Sequence, residues 1–231
     1  MKLNNRRYCI FIISFLLITP NIFARYQSFW WNTNSGGVQG NIPNWIGYAI
    51  AGIILINAVT TIVIWKSYFS ERVLKKSSKE DKIWDVNLLK SNARESFIKL
   101  NKAIENKDLV ILQEILTKNY FIEKKDQIDE LIKNSERIIY KSTDIRVLEI
   151  IGCEDYKDNT YDMYIAFIEG YLLKYKVSEL SGEIISNKER LSSEFSKTLH
   201  FIRDKNKWKL NSIDEKVNIL DIYKTKNFKE K

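Results

Sequence analysis

The chain has 231 residues, a formal net charge of +8, two cysteines and a single histidine. Cys9 lies in an N-terminal segment expected to be removed and Cys153 then stands alone, which excludes an intramolecular disulfide and suits a reducing compartment. The excess cations fall after residue 65 and in a Lys-rich tail, with no nucleic-acid motif around them. The charge therefore points to an anionic membrane surface and away from nucleic acid.

Residues 1–24 read as a secretory signal peptide: Lys2, Arg6 and Arg7 precede an apolar run over residues 8–23 that ends at the small residue Ala24. If cleavage fails, the segment stays as one arm of a membrane hairpin. A short extracytoplasmic linker, residues 25–44, follows. Residues 45–65 contain no charge, and at about 1.5 Å per residue they can cross a hydrocarbon core of about 30 Å. Trp45, Tyr48 and Trp65 sit near the ends of this predicted transmembrane helix, at the headgroup level that amphipathic rings prefer. Between Ala24 and Trp45 the lone cation is Arg25, whereas Lys66, Arg72, Lys75, Lys76, Lys79 and Lys82 follow the span, so the positive-inside rule keeps the rest of the chain in the cytoplasm. Residues 66–82 show no apolar periodicity and read as a basic, solvated linker whose Lys75, Lys76, Lys79 and Lys82 contact the membrane surface.

One compact domain is expected over residues 83–221. Phe97, Leu100 and Ile104 form the apolar stripe of a first helix. Asp108 is a good N-cap for a second, carrying Leu109, Leu112, Ile115 and Leu116, and a third runs from Glu123 through Ile128, Leu131 and Ile132. Strand texture begins at Ile138. A long aromatic strand over residues 161–177 places Tyr161, Met163, Ile165, Phe167, Tyr171, Leu173 and Tyr175 on one parity, with Gly170 as a bulge or bend. Two more strands, from about Leu191 to Arg203 and from Lys207 to Ile213, are joined by an Asp204-Lys205-Asn206 turn. Residues 222–231 read as a Lys-rich tail. Three helices before four strands predict an α+β fold, with helices packed on a curved four-stranded antiparallel sheet in the manner of the nuclear transport factor two-like cone.

The run from Phe195 through Thr198, Leu199, His200 and Phe201 to Arg203, then Trp208 to Ile213, resembles the closing hairpin of the Tim44-like domain. Phe97 to Ile104, Lys107-Asp108-Leu109 and Leu116-Thr117 are similar to that family's opening helices. Bacterial members also carry a signal peptide, a Gly-containing linker and one span, here with Gly36, Gly37 and Gly40. This chain departs at Leu199, where the family often has Trp. The resemblance implies a membrane-tethered binding module without catalysis, in a bacterial inner membrane, with one span and a cytoplasmic domain. Its implied partners are membrane lipid and a protein.

Candidate sites are few. Phe167, Tyr171, Phe201 and Trp208 could line an apolar ligand pocket on the concave face of the sheet, although aromatics at strand spacing also build cores. Acid/base chemistry would need a carboxylate in an apolar setting, and Glu169 has the parity for it if no bulge intervenes. His200 has the opposite parity to Leu199 and Phe201, without a second metal ligand nearby. No catalytic residue, metal site or cofactor is assigned. Beside the adaptor reading stand two others: an exported assembly component of the VirB-eight kind, and an isomerase or dehydratase of the same superfamily.

Overall fold

The computed structural model describes the backbone of residues 44–230, and side chains from residue 59 onward. The expected signal peptide and the linker after it lie outside the described residues, as do the side chains of most of the expected span. Among the described residues no helix is long and apolar enough to cross a membrane.

Helix α1 (Asn44–Ser77) continues without a break through the stretch expected to be a solvated linker. One stripe of it explains why. Val63, Lys66, Ser67, Ser70, Leu74 and Ser77 are buried at helical spacing, so small and polar side chains face the domain. A 3₁₀ turn at Lys82–Trp84 is capped by the Asp81 carboxylate, and Asp85 caps α2 (Val86–Asn106) through the N–H groups of Asn87 and Leu88. Lys107 ends that helix in the left-handed region at φ 56°. Asp108 caps α3 (Leu109–Ile115) as the sequence indicated. Helix α4 (Lys118–Lys133) starts before the predicted Glu123, at Lys118.

The sheet is mixed and six-stranded, a correction to the expected four antiparallel strands. Its order is β5-β4-β2-β1-β6, with β1 Glu136–Asp155, β2 Met163–Ser178, β4 Ser193–Asp204, β5 Lys207–Asp214 and β6 Asn227–Lys229, while β3 (Ile184–Ser186) pairs separately with β2. The last strand runs parallel to β1. The segment expected to be a Lys-rich tail, residues 222–231, instead belongs to a strap made of α5 (Ile219–Lys224) and β6.

Both faces of the curled sheet are covered, which reverses the expected parity of β2. Tyr164, Ala166, Ile168 and Leu172 face the main core with α2 to α4, together with Phe201, Leu199 and Leu210. Ile165 and Phe167 face the other way and pack with Val63 of α1, Ile151 of β1 and Ile222 of α5. At about 25 cal/mol per Å² of apolar surface, each such aliphatic side chain stabilises the fold by about 1.5 to 3 kcal/mol.

The sheet curls because β1 carries extra residues. Its register against β2 shifts between Tyr140 and Ser142, between Ile145 and Val147, and between Ile150 and Gly152. The middle shift lies opposite Gly170, where a Cβ would stand 1.9 Å from the Asp144 carbonyl oxygen. Gly170 therefore lets a bulged strand approach, and the bulge itself is in its neighbour. Gly170→Ala is expected to cost about 2 to 3 kcal/mol, the upper part of the overpacking range, because backbone must move. A thermal melt unchanged from the parent would show that the strands separate freely at this point.

Candidate functional site

The outer face of the sheet, where α1 and the strap cross it, carries the polar contacts that could serve a function. The strap runs alongside α1 in the same direction, and three contacts fix the levels. The Lys66 ammonium donates to the Thr225 carbonyl at 2.7 Å, Ser70 Oγ donates to Asn227 Oδ1 at 2.6 Å, and Lys229 pairs with Glu80 at 2.5 Å. Asn227 is held in turn by the Cys153 N–H at 3.0 Å. From the sheet side, Glu149 accepts from Ser67 Oγ at 2.7 Å and pairs with Lys90 at 2.8 Å. α1, through Lys66, Ser67 and Ser70, and Glu80 just past its end are thereby tied at four levels to strands and strap.

The opposite face of α1 is open. Trp65, Tyr68 and Phe69 are exposed there, with Trp65 and Phe69 edge-to-face at 4.8 Å, and the Arg72 guanidinium lies 4.5 Å from the Tyr68 ring. Lys75, Lys76, Lys79 and Lys82 follow, all exposed, on the end of α1 and just past it. The structure thus grades this face from aromatic to basic along the chain.

The four aromatics expected to line one pocket fall on two faces. Phe201 and Trp208 belong to the inner core, where Tyr164 stacks on Phe201 at 4.5 Å and Trp208 meets Trp84 edge-to-face at 4.8 Å. Phe167 is buried under α1, and Tyr171 lies on the outer face with the Arg146 guanidinium 4.2 Å from its ring. Glu169 is also on the outer face; partial burial, then the nearby Glu194, pushes its carboxyl up. His200 lies on the outer face as its parity indicated. Its Nε2 is 2.8 Å from Asp214 Oδ2, which also accepts from Thr198 Oγ1 at 2.8 Å. Together with Asp221 and Ile222 of the strap these groups border a cavity of about 30 Å³, room for a water or two and too small for an organic substrate. Cys153 is buried, and desolvation pushes its thiol up, away from the thiolate that a nucleophile needs.

Sequence reasoning missed α1 as a docked element and the strap. The signal was available only as spacing: Ser67, Ser70, Leu74 and Ser77 recur every three or four residues, but all of them except Leu74 are polar.

A family model described as the Tim44-like domain matches residues 70–215, well over half of the chain. No curated protein matches. Among solved structures, the crystal structure of the intermembrane space region of the chloroplast protein ARC6 is 13% identical, with a TM-score of 0.42, covering 56% of this chain and 95% of that one. The solution structure of a de novo β-sheet design protein is 14% identical, with a TM-score of 0.30, covering 56% and 88%.

Proposed function

Because the chain belongs to the Tim44-like domain family, we propose that it is a non-catalytic binding or adaptor module, anchored in a bacterial inner membrane by one helix and holding its domain in the cytoplasm. Its partners are the membrane lipid and a protein. The observation that carries this reading is the continuity of α1: the charge-free sequence of residues 45–65 runs directly into a helix stripe that packs on the domain. Trp65, Tyr68 and Phe69 at the end of that run suit the headgroup level, and cations dominate only beyond it. The filled inner face, with Tyr164, Phe201, Trp84 and Trp208 in mutual contact, favours binding on the outside of the domain over chemistry within it.

Membrane fractionation and C-terminal reporter fusions of the full chain test it. The chain is expected to stay with the membrane after carbonate extraction, with a fused fluorescent protein active and a fused periplasmic phosphatase inactive. Release by carbonate removes the anchor. An active phosphatase reverses the orientation and promotes the exported assembly component.

A further inference from the structure

We propose that helix α5 is a second membrane contact, with Leu220, Tyr223 and Lys224 seated in the headgroup layer of an anionic bilayer beside the span. The inference rests on the anchoring reading above. It follows from a mismatch of lengths. Residues 45–65 are needed to cross a hydrocarbon core of about 30 Å, yet the domain already packs on α1 at Val59, Ile62 and Val63. Residues 45–58 alone would cover only about 21 Å. An anchor that keeps its full length in the bilayer therefore draws the part of the domain beside residues 59–65 into the interface.

That part is α5. Ile222 is buried against Val63, and Lys66 places its ammonium 5.5 Å from the centre of the Tyr223 ring while bonding the Thr225 carbonyl. Since the strap runs in the same direction as α1, with Ile222 at the level of Val63 and Thr225 at that of Lys66, Leu220 lies about one helical turn nearer the apolar run than Tyr223 does. Leu220 and Tyr223, three apart on the helix, share one face and are 61% and 59% exposed. Lys224 continues that face, whereas Asp221 turns to the cavity beside Asp214 and His200. A short helix with an aliphatic and an aromatic side chain outward and a lysine at its end is built to lie in an interface, where apolar faces sink about 5 to 10 Å. Lys75, by contrast, follows Trp65 by ten residues, about 15 Å along the helix. For a helix along the membrane normal that exceeds the Debye length of about 8 Å at physiological salt.

The test uses the full chain with Cys9→Ser, in which Cys153 is shielded by burial. An environment-sensitive fluorophore is attached at Leu220→Cys or Tyr223→Cys, and at Asn206→Cys as reference. The protein is reconstituted in phosphatidylcholine vesicles containing phosphatidylglycerol, with or without lipid carrying a quencher near the headgroup. Both α5 probes are expected to emit blue-shifted light and to be quenched at least about twofold more than the Asn206 probe, as interfacial immersion requires. If the protein floats with the vesicles and the α5 probes behave like the reference, α5 stays in water and the proposal falls alone. A blue shift without lipid quenching means a protein covers α5, and overturns it as well. Failure of the protein to float with the vesicles would remove the anchoring reading and this one together.

Discussion

Replacing Asp162 with alanine is expected to cost the domain about 3 to 5 kcal/mol, the range for removing one partner of a buried ion pair. Asp162 is fully buried just before β2, and Arg203 of β4 donates to it at 3.0 Å. The same guanidinium pairs with Asp81 at 2.7 Å, and its Nε donates to the Lys205 carbonyl at 2.9 Å. Asp162 also accepts from the Tyr156 N–H at 2.8 Å. Burial pushes its carboxyl up, opposed by the hydrogen bonds from Tyr156 and Arg203. Losing the carboxylate leaves Arg203 in the interior with only the half-exposed Asp81 to answer its charge. A double variant, Asp162→Leu with Arg203→Met, should recover part of the loss, since removing both charges also removes their desolvation cost. Equilibrium unfolding in urea reads both. A single variant within about 1 kcal/mol of the parent would place this pair among ordinary surface bridges.

How much of this could be read from the sequence depended on whether burial used apolar residues on one face. The caps at Asp108 and the stripe of Phe97, Leu100 and Ile104 are local and one-sided, and they came through with their helices in order. The β2 strand did not, because residues 164–168 are buried on both faces and the alternation that would reveal an inner side vanishes. Aromatics do not mark the inner side either, because the outer face has its own: Phe167 packs under α1 and Tyr171 under Arg146. The sixth strand was invisible because three residues of a Lys-rich segment, Asn227 to Lys229, are held by side-chain amide bonds and by the ion pairs of Lys229 with Glu80 and Asp155. At the candidate site the aromatic and basic residues of α1 were legible one by one. Their common face required the helix to continue past residue 66, which serines and lysines do not announce.

The largest effect should come from removing that helix. A fragment beginning at residue 83 is expected to lose cooperative folding, whereas one beginning at residue 59 keeps it. Leu74 is fully buried in the main core, and Val63 is 3% exposed in the outer cluster. At about 1.5 to 3 kcal/mol for each buried aliphatic side chain, these two alone contribute a large share of a total stability of about 5 to 15 kcal/mol. Their loss is compounded. Ile151, Ile165, Phe167 and Ile222 would face water, Glu149 would lose Ser67, and the strap would lose Lys66 and Ser70, the contacts that hold it to the sheet edge. The inner core would keep Trp84, Tyr164 and Phe201, so helical and strand signals should persist while tertiary order falls, with dye binding at the uncovered outer face. Near-ultraviolet circular dichroism and thermal melts of the two fragments distinguish the cases. A sharp melt of the shorter fragment within a few degrees of the longer one would show that α1 rests on a domain complete without it, and that the burial of Val63 and Leu74 contributes little to folding.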